Sequence, residues 1–181
     1  MIGQKSLIVF PFIFTLSIFQ PSALASSSWQ GWGKVNMQGA IIDTACSISV
    51  NSRDQTIDME IVPVADIIRD GQGREKAFSI DLINCILERP NNNFPDWRQF
   101  QITFDGDAEG SLFGVQGTAS GVALKITDED DNIARPGDPL RPKDISPGNM
   151  QLKFNIRLVA NSHTLKSGDY FSVIRFKLDY F

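Results

Sequence analysis

Very few side chains in this 181-residue sequence have the chemistry of a functional site. Cys46 and Cys85 are the only cysteines, and two thiols can form one disulfide or contribute to a metal site. His163 is the only histidine, and so the only candidate base for a Ser-His-Asp hydrolase. The acidic run from Asp128 to Asn132 supplies the carboxylate and amide oxygens that calcium prefers. The spacing of neighbouring residues decides among these possibilities.

Spacing argues against both the hydrolase and the calcium site. The hydrolase nucleophile elbow reads Gly-x-Ser-x-Gly, whereas residues 117–121 read Gly-Thr-Ala-Ser-Gly. Counted from Asp128, oxygens fall at calcium-loop positions 1, 3 and 5, but Ile133 replaces the glycine at position 6 and Pro139 the glutamate at position 12. We therefore expect a solvated acidic loop, an exposed His163 in a turn, and no catalytic residue, metal or cofactor.

The two cysteines are better explained as a disulfide. Two distant cysteines and one histidine cannot complete a tetrahedral zinc shell without carboxylates. In an oxidising compartment, two cysteines are the number for a single bridge. A bridge from Cys46 to Cys85 closes a loop of about 40 residues, which the chain-entropy model values at roughly 4 kcal/mol.

The N-terminal residues predict export to such a compartment. Lys5 precedes an almost wholly apolar run over residues 7–19, and Ala23-Leu24-Ala25 is a small-x-small cleavage site. This pattern is typical of a secretory signal peptide over residues 1–25, removed before Ser26. The rival interpretation is a membrane anchor, but the run is shorter than the roughly 20 residues of a spanning helix. We expect a soluble, exported mature protein.

The composition is that of one folded domain. The chain is 42% hydrophobic and 21% charged, and it carries a formal net charge of -4. A mildly acidic protein is a poor candidate for binding duplex nucleic acid, which selects basic surfaces. No motif for a small-molecule substrate is present either.

The apolar residues recur with the period of β-strands. Alternation is clear at residues 35–41, 78–85, 101–104, 122–127 and 152–158, and turn residues separate these runs. Short strands with such spacing predict an antiparallel sandwich or barrel. Residues 88–98 and the proline-rich residues 130–149 predict irregular structure or an edge, and residues 64–69 a short helical turn.

The two ends of the mature chain have complementary patterns. After a turn at Gly168-Asp169, one face of the final strand carries Tyr170, Ser172, Ile174, Phe176, Leu178 and Tyr180. The near-N-terminal segment places Trp29, Gly31, Gly33 and Val35 on one stripe of an extended chain. By themselves these patterns are also consistent with an ordinary closing strand and a frayed terminus.

Together the features resemble the pilin subunits of the chaperone–usher pathway, over nearly the whole mature chain. The matching segments are residues 33–39 through Cys46, residues 78–82 through Cys85, and residues 102–106, 121–124 and 168–180. Family members carry a glycine fourteenth from the end and a tyrosine next to last. Gly168 and Tyr180 occupy those places.

The resemblance implies an all-β fold: an immunoglobulin-like sandwich that lacks its seventh strand and has one disulfide. Residues 38–181 would form the pilin domain and residues 26–37 a donor-strand extension, with Trp29, Gly31, Gly33 and Val35 as the inserted side chains. The implied partners are a periplasmic chaperone, an outer-membrane usher and neighbouring pilins, in a fimbria on the cell surface. The resemblance also implies that the chaperone contacts the last strand of this chain during assembly. The contacted face would carry Ile174, Phe176, Leu178 and Tyr180.

A finer resemblance points to the minor subunit that terminates and anchors P pili. It rests on residues 56–59, 132–137 and 168–171, and such a subunit donates its extension but accepts none, because its groove is closed at one end. One departure is Glu60, where many rod pilins place a glycine. The alternatives are an ordinary rod subunit, major or adaptor, and a small periplasmic enzyme. No room remains for the receptor-binding domain of a tip adhesin.

Overall fold

The structure, a computed structural model, describes residues 31, 33–90 and 93–181. The predicted signal peptide and Trp29 lie outside these residues. The chain divides into two units, one up to Ala40 and the other Ile41–Phe181. In the first unit, the described residues are exposed and have no regular secondary structure. No helix in the described part of the chain is long and apolar enough to span a bilayer.

The second unit consists mainly of β-strands with two short helices. In chain order the elements are β1 (Ser47–Ile48), α1 (Val50–Arg53), α2 (Val64–Asp70), β2 (Gln72–Cys85), β3 (Gln99–Asp105), β4 (Ala108–Glu109), β5 (Leu112–Phe113), β6 (Gln116–Gly117), β7 (Val122–Asp128), β8 (Ile133–Ala134), β9 (Lys143–Asp144), β10 (Gly148–Ala160), β11 (Tyr170–Phe171) and β12 (Arg175–Tyr180).

The strands form two main antiparallel sheets. The first has the order β1-β2-β10-β7-β5-β4, with β8 also paired to β7, and the second has the order β12-β3-β9. A small separate sheet pairs β11 with β6. In this arrangement β1 and β12 are both edge strands, and each has a single neighbour in its sheet.

Aromatic side chains join the two main sheets. The Phe104 ring of β3 lies edge-on to Phe154 of β10, with 5.1 Å between centroids, and 6.3 Å from Phe78 of β2. Around them the inward residues of both sheets form one core, including Ile80, Phe100, Phe113 and Ile126. The all-β sandwich predicted from period-two alternation is confirmed.

Two local expectations have different outcomes. The helical turn predicted over residues 64–69 is present as α2, which begins after Pro63 and ends at Gly71 in a left-handed cap with φ of 69°. The strand suggested by residues 35–41 does not form. An extended segment becomes a strand only when a neighbour pairs its backbone, and these residues carry no such pairing in the described part of the chain.

The predicted disulfide between Cys46 and Cys85 is present. Cys46 directly precedes β1 and Cys85 ends β2, so the bridge joins the edge strand to its neighbour. Beside it, the Ile86 amide donates a hydrogen bond of 2.8 Å to the Ala45 carbonyl. The covalent bond therefore fixes where the chain enters the sandwich.

The prediction of a fully solvated acidic loop is wrong for Asp128, which is only 2% exposed. One of its oxygens accepts backbone N–H groups of Asp130 and Asn132, both at 2.9 Å. The ammonium of Lys143 lies 3.6 Å from the other oxygen. The loop is thus folded around the Asp128 carboxylate. The neighbouring Glu129, Asp130 and Asp131 are exposed, as expected.

The lone histidine lies where the sequence predicted it. His163 follows β10 in a bend and is exposed, with its Nδ1 3.6 Å from an oxygen of Glu109. Among the described residues, no three His, Cys, Asp or Glu side chains are grouped closely enough to hold a metal ion.

The turn before the last strand requires glycine at position 168. A Cβ at Gly168 would lie 2.5 Å from Thr118 Oγ1 and 2.6 Å from the Ala119 nitrogen. In the same place Thr118 and Ala119 donate backbone hydrogen bonds of 2.9 and 3.1 Å to the Asp169 carbonyl. The chain can approach this closely only without a side chain.

We predict that Gly168→Ala lowers the free energy of unfolding by about 1–3 kcal/mol, because the added methyl group overlaps backbone atoms. Gly73→Ala is the matched control, because its Cβ would meet only side-chain carbons at 3.4 Å or more. Urea denaturation at neutral pH measures both variants. Equal stability of the two would contradict the close-approach explanation.

A second prediction concerns acid stability. Burial by itself raises the pKa of Asp128, but the hydrogen bonds from Asn132 and Asp130 and the charge of Lys143 lower the pKa below its usual value. A carboxyl with a lowered folded-state pKa stabilises the fold above the unfolded pKa of about 3.9, and that stability is lost as pH falls through the folded-state pKa.

Asp128→Asn should therefore lower the free energy of unfolding at pH 7 by about 1–3 kcal/mol. The variant should also lose less further stability than the wild type as the pH is taken down below the unfolded pKa. Asp131→Asn, an exposed neighbour, is the control and should change neither quantity. A wild-type acid profile in Asp128→Asn would exclude this role for the carboxylate.

Candidate functional site: a groove between the first and last strands

One concave feature is a groove with a volume of about 1300 Å³. We call its sides the first wall, which comprises residues 52–62, and the last wall, which comprises residues 168–176; Ile48 also lines the groove. Both walls and the floor between them belong to the unit Ile41–Phe181. The two edge strands each contribute to its lining, with Ile48 from β1 and Arg175 and Phe176 from β12, and these strands do not pair with each other.

The floor of the groove is apolar and comes from both sheets. Its residues are Phe78, Ile80, Phe104, Leu124, Ile126 and Ile156. All of them are buried except Phe78, which is half-buried. The groove is therefore a cleft above the core, and apolar side chains are the groups that it can accommodate without leaving a polar group unpaired.

The last wall and the rest of the final strand have the alternation that the sequence predicted. Tyr170, Ser172, Ile174, Phe176, Leu178 and Tyr180 are half-buried, whereas the residues between them are exposed. The inward residues of the neighbouring β3, in contrast, are almost completely buried, with Phe100, Ile102 and Phe104 at 1–4% exposure. The inner face of the last strand is less covered, and in the described part of the chain no further strand pairs with the outer edge of β12.

Not all predicted residues of this strand reach the groove. Ile174 and Phe176 line it, while Leu178 and Tyr180 continue the same face beyond its end. The Tyr180 ring instead packs near Trp97, with 6.0 Å between centroids. Gly168 lies in the last wall at the opposite end of the groove from Phe176.

The first wall is attached to the sandwich by side chains alone. In the described part of the chain, no backbone–backbone hydrogen bond involves residues 55–62. The Gln55 amide donates to the Ser79 carbonyl at 2.9 Å, and the ammonium of Lys76 lies 3.0 Å from Glu60. Ile57, Met59 and Val62 pack against the core. Apart from the Glu60 N–H, which donates to Asp58, the backbone groups of residues 55–62 are consequently available to pair with another strand.

The backbone conformation at Glu60 is one that glycine adopts readily, and many rod pilins have glycine at this position. Its φ is 61°, in the left-handed region that favours glycine. Its N–H donates to the Asp58 carboxylate at 3.0 Å, and its own carboxylate pairs with Lys76. The backbone keeps the conformation expected of glycine, and side-chain contacts that glycine cannot make stabilise it.

Sequence analysis missed the role of one polar group in the last wall. The hydroxyl oxygen of Tyr170 is buried and has no hydrogen-bond partner in the described part of the chain. Burial raises the pKa of Tyr170, and the negative charge of Asp58 in the first wall raises it further. A period-two pattern assigns Tyr170 to the inner face but carries no information about the residue that faces it.

The predicted donor residues cannot be related to the groove. Gly31, Gly33 and Val35 belong to the first unit, and Val35 is 79% exposed. Trp29 lies outside the described residues. Their role as a donor strand, and that of residues 26–37 as a whole, stays a prediction.

Several curated proteins resemble this chain over most of its length. "Fimbria A protein" of Serratia marcescens is 34% identical over 171 residues, which cover 92% of this chain and 94% of that protein. "PAP fimbrial minor pilin protein" of Escherichia coli is 31% identical, with coverage of 82% and 77%. "Major MR/P fimbria protein" of Proteus mirabilis is 32% identical, with coverage of 91% and 92%. The relatives thus include both minor and major fimbrial subunits.

A solved structure of a chaperone–usher pilus has the same fold. Its subunit superimposes with a TM-score of 0.66 and 23% identity, covering 83% of this chain and 96% of that one. A profile described as "Fimbrial protein" matches residues 35–180. Fimbriae are surface fibres, so the predicted surface location agrees with the family, while export through the periplasm stays a prediction. The chain therefore belongs to the fimbrial protein family and is a structural pilin subunit, as the resemblance to chaperone–usher pilins predicted.

Proposed function

We propose that the groove accepts an extended strand from another chain, and that residues 26–37 are this subunit's own strand for donation. One observation carries the proposal: the inner face of β12 and its preceding residues is only half-buried, beside residues 55–62, which make no backbone–backbone hydrogen bond in the described part of the chain. A strand inserted between the walls gains hydrogen bonds on both sides. It also covers Ile174, Phe176 and the side chains opposite them.

The energetics favour a subunit whose groove is filled by a strand from another chain over a subunit whose groove is empty. Each apolar side chain that becomes fully covered contributes on the order of 1.5–3 kcal/mol, and less where it is already half-buried. Unpaired edges also promote aggregation. We therefore propose that a periplasmic chaperone supplies the first strand, and that at the outer-membrane usher the extension of one subunit enters the groove of its neighbour.

The test introduces the same charge on opposite faces of the last strand. Phe176→Glu puts a carboxylate in the half-buried groove face, where desolvation opposes the insertion of a strand. Lys177→Glu puts it on the exposed face at the next residue. We expect the amount of co-expressed fimbrial chaperone recovered with the subunit to fall at least about tenfold for Phe176→Glu, equivalent to about 1.4 kcal/mol of binding free energy. The amount recovered with Lys177→Glu should change little.

Two results would contradict strand acceptance. One is equal chaperone recovery with both variants. The other is refolding of the chain from Ser26 onward, without any added strand, into an unaggregated monomer that gains no stability when a donor-strand peptide is added. A small periplasmic enzyme, the least favoured alternative, would behave in that second way.

We further propose that this subunit terminates and anchors its fibre at the base. The support is its similarity to the PAP minor pilin and the left-handed backbone conformation at Glu60, which an uninterrupted extended edge does not contain. A groove with a shortened pairing edge binds a short strand from another chain better than it binds a full-length donor strand. The similarity to the MR/P major fimbria protein supports the alternative of an ordinary rod subunit.

An exchange experiment distinguishes the two positions. The purified subunit–chaperone complex is mixed with a labelled donor-strand peptide from another subunit of the same fimbria. A terminating subunit should retain its chaperone over hours, whereas a rod subunit should release it as the peptide enters. Rapid exchange with the wild-type chain would rule out termination. A complex of a rod subunit in the same assay is the positive control.

A further inference from the structure

Several large apolar side chains are exposed where the chain enters the unit Ile41–Phe181. Ile41 and Ile42 begin this unit, and Ile41 is fully exposed while Ile42 is 74% exposed. Ile86, which directly follows β2, is 64% exposed, and Phe94, in the segment between β2 and β3, is 54% exposed. Single exposed apolar residues are normal on a protein surface, whereas a group of them marks a site of interaction.

Arg89 joins the entry of the chain to the segment that carries Phe94. Its Nη2 lies 3.0 Å from an oxygen of Asp43, the residue after Ile42, and its guanidinium carbon lies 4.9 Å from the centroid of the Phe94 ring. The same carbon lies 3.6 Å from the centroid of the buried Trp97 ring. A planar cation that stacks on aromatic rings and pairs with a carboxylate holds its neighbours in one arrangement.

Ile86 lies beside the same entry of the chain. Its N–H donates a hydrogen bond of 2.8 Å to the Ala45 carbonyl, next to the disulfide. The contacts of the guanidinium and of this amide therefore place the exposed apolar side chains on one surface. We call it the entry surface, and its members are Ile41, Ile42, Ile86 and Phe94.

The connectivity of the chain restricts what can cover the entry surface. Residues 26–37 are proposed to insert into a neighbouring subunit, and Ile41 follows Met37 by four positions. Four residue steps span at most about 14 Å even when they are fully extended. The subunit that holds the extension is therefore kept within reach of the entry surface, and no other partner is constrained in this way.

We infer that the entry surface docks on the pilin that accepts this chain's extension, at the rim of the recipient groove from which Met37 emerges. This inference rests on the proposed strand donation and adds a second contact, between the folded unit of the donor and the recipient. It requires the rim of the recipient to be apolar, because apolar side chains are what the entry surface offers. The inserted strand supplies a high effective concentration, so a small surface is sufficient.

The experiment separates the contribution of the surface from that of the strand. The recipient is a rod pilin of the same fimbria from which its own extension has been removed. It is loaded either with the labelled mature chain, whose groove holds a chaperone, or with a labelled peptide of residues 26–37. The release of each donor is timed in urea, at a concentration that leaves the recipient and the donor folded.

The mature chain should be released at least about tenfold more slowly than the peptide. Ile86→Asn and Phe94→Ser should each accelerate release of the chain by about three- to tenfold, because a polar group replaces an apolar contact. Ile68→Asn is the matched control. It also replaces an exposed isoleucine, but this residue lies in α2 before the start of β2, whereas Ile86 follows the end of that 14-residue strand. Release should not change in this control.

The outcomes distinguish failure of this inference from failure of strand donation. If the chain and the peptide are released at the same rate, or if Ile86→Asn and Phe94→Ser leave release unchanged, the docking of the entry surface is overturned while strand donation stands. An equal loss of stability in the unassembled variants would show that the chain covers this surface itself, and would also overturn the inference. If the recipient holds neither donor, strand donation fails and this inference fails with it.

Discussion

Among the described residues, the last strand of this protein has a hydrogen-bonded neighbouring strand on only one side, and that constraint organises the rest of the structure. β12 pairs with β3 along its whole length, while its other edge borders the groove. In an ordinary sandwich a further strand would occupy that position and cover Ile174 and Phe176. Here those side chains remain half-buried, which is the basis of our proposal that the groove accepts a strand from another chain.

Two local devices hold the walls of the groove in place. The Cys46–Cys85 bridge joins β1 to β2, so the chain enters the first wall from a covalently fixed point. The close approach of Gly168 to Thr118 and Ala119 fixes the start of the last wall. Between these points the first wall depends on Gln55 and Glu60. Such weak attachment is consistent with the proposal that the backbone of this segment pairs with a strand from another chain.

The groove combines an apolar floor with polar groups at defined places. The floor supplies affinity for any strand with alternating apolar residues, which by itself discriminates poorly between similar donors. Of the polar groups in the groove, the Tyr170 hydroxyl is buried, whereas Asp58 of the first wall is exposed.

The sequence alone determined the strand periodicity, the disulfide and the inner face from Tyr170 to Tyr180, because each depends on local alternation or on a count of two cysteines. Resemblance added the requirement for glycine at 168, and the structure supplied its cause. Only the tertiary structure decided that Asp128 is buried, that Glu60 adopts a left-handed conformation, and that residues 55–62 lack backbone pairing. These properties depend on residues far apart in the chain, whose proximity follows from sheet packing and leaves no mark in a local pattern.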